Sequence, residues 1–129
     1  MKSISTEKAP KAIGPYSQAV RAGDFVFLSG QIPLDPQTGA LVKATIEIET
    51  QRVIENLRAV LAAADCTFAN VVRTTIYLTD MNDFTAVNAE YGKAFEGAET
   101  LPARATVEVK GLPKGARVEI DAIAVLSKS

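Results

Sequence analysis

A regular alternation of apolar and polar positions starts at Leu101: Ala103, Ala105, Val107 and Val109 share one face, Arg104, Thr106, Glu108 and Lys110 the other. This is the period of two that a half-buried strand requires. A second run from Arg117 sets Val118, Ile120, Ala122 and Ala124 against Glu119 and Asp121. Gly111, Pro113 and Gly115 between the runs suit a reversing loop, so the pattern predicts two strands joined as a hairpin. In that hairpin Arg104 points away from the apolar face and lies close to two carboxylates.

The rest of the chain follows the same logic. A short strand is expected around Ile4, then an ordered loop from Pro10 to Gln18 with Tyr16 near its end. Ala19–Ala22 and Phe25–Ser29, separated by Gly23 and Asp24, read as a tight hairpin ending in Ser29-Gly30-Gln31. Pro33 to Gly39 is turn chemistry. Ile46, Thr50, Val53, Leu57, Val60, Leu61 and Ala64 then recur at helical spacing behind an N-cap at Thr45, with Glu47 and Glu49 in the first turn. Val71 to Thr79, rich in β-branched residues, predicts a strand. Phe84, Val87, Tyr91, Ala94 and Phe95 line a second helix, with Asn88 bordering its apolar face either as a clamp or as a site residue. The order implies an α+β fold, two β-α-β halves forming a mixed sheet with both helices on one face. Ile123 to Leu126 is apolar on both sides, so the second sheet face must be covered, most simply by another copy of the chain.

Composition narrows the chemistry. The 129 residues, 47% hydrophobic, suit one domain spanning 1–129. A formal charge of −1 with scattered cations gives no electrostatic footprint for nucleic acid or an anionic membrane. Met1 to Lys8 has no apolar leader character and no segment reaches spanning length, so a cytoplasmic location is expected. There is no histidine and one cysteine, Cys66, which excludes disulfides within the chain, a Cys/His zinc site and a Ser-His-Asp triad. Cys66 has no adjacent base or second thiol and reads as structural. Phosphate-binding glycine motifs are missing too. Acid-base work falls to Asp, Glu, Tyr, Lys or water. From local signals alone, Arg104 and Glu119 either decorate a solvated sheet or form an anion anchor and a proton handler. Ser29-Gly30 either ends a strand or lets a ligand approach the backbone.

Taken together, Gly14-Pro15-Tyr16-Ser17-Gln18, Ser29-Gly30-Gln31-Ile32-Pro33, Asn82-Asp83-Phe84 with Val87-Asn88, Pro102-Ala103-Arg104 and Val118-Glu119-Ile120 resemble the reactive intermediate deaminase family, of RidA/YjgF type. The resemblance covers essentially the whole chain. It implies a chorismate-mutase-like (YjgF-like) fold and a homotrimer around a central barrel, with clefts between subunits. It also implies cofactor-free hydrolysis of 2-imino acids such as 2-iminobutanoate and 2-iminopropanoate to 2-keto acids and ammonia. Arg104 would bind the substrate carboxylate and Glu119 would position or deprotonate water. Tyr16, Ser29, Gly30, Asn88 and Thr106 would line the cleft, Thr106 through its backbone carbonyl where many members carry cysteine. The chemistry suits these residues: a guanidinium grips a carboxylate bidentately, and a protonated C=N carbon needs only a placed water and a carboxylate. No metal is implied. The competing expectations are a non-catalytic module that binds keto or amino acids and a chaperone-like trimer; an RNA-directed activity ranks last.

Overall fold

The computed structural model describes residues 1–127. Six strands and two α-helices follow in the order β1 (Lys2–Ile4), β2 (Ala19–Ala22), β3 (Phe25–Gln31), α1 (Ile46–Ala63), β4 (Val71–Leu78), α2 (Phe84–Ala94), β5 (Ala103–Glu108) and β6 (Val118–Val125). They form one mixed sheet in the order β1-β2-β3-β6-β4-β5.

Local chemistry accounts for the elements. Thr45 Oγ1 accepts from Ile48 N at 3.2 Å, satisfying an orphan N–H at the start of α1. One face of that helix then buries Val53, Leu57, Val60 and Leu61. Burial stabilises each such side chain by roughly 1.5–3 kcal/mol. Gly23 at φ +61 allows the tight turn that places Ala22 opposite Phe25. In β6, Val118, Ile120, Ala122 and Ala124 are buried while Glu119, Asp121, Ile123 and Val125 are half-buried. Strand β6 is therefore the middle of the core, with the helices on one side of the sheet. The other side is open and carries Phe25 (47% exposed), Phe27 (46%) and Val107 (40%), an apolar set on a face that no element among the described residues covers.

The two βαβ halves are present but unequal. Strands β4 and β5 are adjacent and parallel, joined by α2. β3 and β4 both pair antiparallel with β6, so α1 joins two parallel strands with β6 inserted between them.

This arrangement corrects the hairpin expected from Leu101 to Ala122. The loop does reverse the chain, yet β5 lies at the sheet edge and β4 separates it from β6. The crossover through α2 sets β5 parallel beside β4, and β6 fills the slot between β3 and β4. The facing is also the reverse of the expectation. Arg104 lies on the side of α2, and Val107 belongs to the open face. Short alanine side chains bury too little surface to hold β5 with its alanine face inward, whereas the Arg104 stem and fork find aromatic partners on α2.

Candidate active site

Two groups of the expected residues are assembled, on opposite faces of the sheet. The first surrounds Glu119. A cavity of about 400 Å³ is bordered by Tyr16, Ser29, Gly30, Ile32, Leu34 and Glu119. Strand β6 presents Glu119 and β3 presents Ser29 and Gly30, on either side of a register shift between Leu28 and Gln31. The shift lets Gly30 pass directly under the Glu119 carboxyl: a methyl group at position 30 would lie 2.8 Å from Glu119 Cδ. Ser29 Oγ donates to Ser17 O at 2.6 Å, tying β3 to the loop that carries Tyr16. Burial pushes the Glu119 carboxyl above its ordinary range, and the nearby Asp121 charge pushes it the same way. Asp121 in turn accepts a hydrogen bond from Tyr77 Oη at 3.0 Å. A half-buried carboxyl whose protonated form is favoured by its surroundings is suited to accepting and returning a proton.

The second group surrounds Arg104. Its guanidinium donates to Asn88 Oδ1 at 2.7 Å and lies 5.0 Å from the Tyr91 ring centre and 5.7 Å from that of Phe84. These cation–π contacts and one hydrogen bond orient the fork without neutralising it. Arg104 forms no salt bridge among the described residues. Tyr91 is itself braced by a 2.6 Å hydrogen bond between its hydroxyl and Thr74 Oγ1. Asn88 is exposed, so it is no buried amide; it is the residue that holds Arg104. Thr106 follows on the same side of β5, its Oγ1 buried and unpartnered.

Arg104 and Glu119 do not meet within one chain. Arg104 pairs with Thr74, which pairs with Ala122, so Glu119 lies three residues further along β6 and two strands away, roughly 10 Å in strand spacing alone, on the other face. Tyr16, Ser29, Gly30 and Glu119 share one cavity; Arg104, Asn88 and Thr106 belong to the other group. Sequence reasoning did not connect Phe84 and Tyr91 with the arginine, because their spacing reads equally as helix core. Lys11 and Lys114 also border the cavity, and the left-handed φ of +59 at Lys114 has no signature in a residue type that carries a β-carbon. Cys66 is buried, its Sγ donates to Ala64 O at 3.5 Å, and burial raises its pKa, as a packed structural thiol requires.

Comparison with known proteins places this geometry in context. The family model described as "Endoribonuclease L-PSP" matches residues 6–126. The chain is 59% identical over 126 residues to "Protein DfrA" of Myxococcus xanthus, covering 96% of this chain and 95% of that one. It is 53% identical over 124 residues to the mouse (Mus musculus) protein named 2-iminobutanoate/2-iminopropanoate deaminase, covering 96% and 90%. Among solved structures, a Rid-family protein, YyfA of Yersinia pestis, superposes with a TM-score of 0.94 at 48% identity, covering 97% of this chain and 98% of that one.

The close approach at Gly30 generates a test. Gly30→Ala forces the Glu119 carboxyl outward, and since this is the end of a flexible side chain, stability changes by less than about 1 kcal/mol. The Glu119 titration, followed by carboxyl-carbon NMR, moves down toward the ordinary glutamate range in Gly30→Ala. An unchanged titration would show that the glycine does not set the position of the carboxyl.

Proposed function

The chain belongs to the Rid (RidA/YjgF) family, the family of the endoribonuclease L-PSP model, and on that premise we propose that it hydrolyses reactive 2-imino acids to 2-keto acids and ammonia. The observation that carries the reading is the half-buried Glu119 carboxyl, seated over bare backbone in a cavity and in no salt bridge among the described residues.

The chemistry follows from the two groups of residues. Arg104, oriented by Asn88, takes the substrate carboxylate, and its planar fork fixes the plane of the neighbouring C=N carbon. Glu119 accepts a proton from water as the water oxygen bonds to that carbon and the C=N electron pair moves to nitrogen. Glu119 then returns the proton to the nitrogen. The C–N bond breaks with its electron pair leaving on ammonia, and the hydroxyl proton passes to the Glu119 carboxylate as the C=O bond of the keto acid forms. Tyr16, Ser29, Gly30 and the backbone of Thr106 border the substrate. The reacting carbon is already electrophilic when its nitrogen is protonated, so the placed water and one carboxyl suffice.

Because the two groups lie on opposite faces, the reading includes a second copy: the open face with Phe25, Phe27 and Val107 packs against other copies in a homotrimer, and Arg104 of one copy completes the Glu119 cavity of the next. An RNA-cleaving reading has less support. A chain of net charge −1 without histidine lacks the basic surface and the usual acid-base side chain for that task.

Three outcomes test the proposal. Arg104→Lys keeps the charge but loses the fork, so kcat/KM for 2-iminobutanoate falls about ten- to a hundred-fold, the worth of one charge-assisted hydrogen bond, with thermal stability unchanged; a Lys variant of wild-type turnover removes Arg104 from the reaction. Glu119 has its pKa raised by folding, so its protonated form favours the fold: that stability is present below the unfolded value and lost as pH rises through the folded one. Glu119→Gln, which mimics the protonated form, therefore keeps or raises Tm at neutral pH while ammonia release falls about 10²-fold or more, and wild-type activity declines on the acid side above the ordinary carboxylate range. Finally, Arg104→Ala and Glu119→Gln chains, each inactive alone, regain part of the activity when refolded together and sediment at the mass of three chains; no regain in a mixed oligomer sinks the shared cleft.

A further inference from the structure

One wall of the Glu119 cavity hangs from a buried amide that belongs, by its position, to the helical core. Asn56 is fully buried on the apolar face of α1 among Val53, Leu57 and Val60. Leucine would fill that space without bringing polar atoms into the core. Instead Asn56 Nδ2 donates to Ile32 O at 3.3 Å and to Leu34 O at 3.0 Å, more than twenty residues earlier in the chain. These carbonyls belong to the segment that leaves β3 after its register shift, where the sheet no longer supplies partners. Ile32 and Leu34 are also the apolar wall of the cavity.

The orientation of the amide is fixed from behind. Arg52, one turn earlier, donates to Asn56 Oδ1 through Nε at 3.2 Å and through a terminal nitrogen at 2.9 Å. A guanidinium only donates and a carbonyl only accepts, so the residue between them must accept on one side and donate on the other. An amide does both. An aspartate would aim its charge at two carbonyls, and a leucine would leave both carbonyls without this partner. The opposite wall is held in the same fashion: Gln18, also buried, donates to Pro10 O at 2.7 Å and Thr6 O at 3.1 Å and accepts from Thr6 N at 2.7 Å.

We propose that Asn56, oriented by Arg52, is a positioning residue that fixes the Ile32–Leu34 wall and so sets which imino-acid side chains the cavity accepts. The inference rests on the imine-hydrolysing reading above. It assigns selectivity to a pair of residues that touch neither Glu119 nor Arg104, through the placement of one wall of a cavity of about 400 Å³.

The experiment compares kcat/KM for the imino acids derived from 2-aminobutyrate and from leucine, generated in situ, in wild type, Arg52→Met, Arg52→Lys and Asn56→Leu. Arg52 is partly exposed, so Arg52→Met keeps the fold even where Asn56→Leu does not. With the amide released, the wall recedes and the preference for the smaller substrate falls about tenfold in Arg52→Met at near wild-type Tm. Arg52→Lys, which retains one donor, lies between. Amide hydrogen exchange across residues 32–42 is faster in Arg52→Met, a readout that needs no turnover. A substrate ratio within about twofold of wild type, a parallel loss on both substrates, or unchanged exchange overturns the proposal. Wild-type protein that releases ammonia from neither substrate overturns the imine reading, while the exchange comparison still decides the tether.

Discussion

The structure depends on the register of β6. Its side chains alternate strictly, so once Val118, Ile120, Ala122 and Ala124 are buried under the helices, Glu119 and Asp121 are committed to the other face. A slip of one residue would drive both carboxylates into the core and expose four apolar side chains. The hydrophobic core therefore aims the carboxyl. Neighbouring strands complete the setting: β3 contributes a residue without a side chain where the carboxyl must lie, and β4 contributes the tyrosine that binds Asp121.

Much of this was legible in the chain. Period-two runs and helical spacing gave the strands, both helices, the N-cap at Thr45 and the short first strand. Alternation did not reveal which strand lies beside which, because it describes the faces of a strand and not its edges. Alternation alone therefore joins the run of Arg104 to that of Glu119, whereas β4 lies between them. The facing of β5 was illegible for a different reason. At a sheet edge, with alanines on one side and an arginine and a threonine on the other, neither face is apolar enough to decide, and aromatic rings on a distant helix decide instead. The two asparagines show the same limit. Asn88 and Asn56 both stand on helices beside apolar positions, yet one is exposed and holds a guanidinium while the other is buried and holds backbone.

The separation of the two groups follows from the same geometry. Helices on one face give Arg104 its aromatic and amide supports, and the uncovered face gives Glu119 a shallow cavity. A single sheet cannot bring its two faces together. On the reading proposed above a second copy joins them, and the same uncovered face that carries the carboxyl carries the aromatic side chains that such a copy would bury.

The contact between Gly30 and Glu119 links two positions almost ninety residues apart in the chain. Every other amino acid at position 30 adds a carbon that meets the carboxyl, so the glycine is what lets the acid lie where it does. A descendant chain that exchanged Glu119 for a small residue would be released from the glycine at once. Position 30 could then drift toward alanine or serine without harm to the fold. The two positions are thus coupled: in a chain of this architecture, a side chain at the position of Gly30 requires the carboxyl to lie elsewhere than it does here.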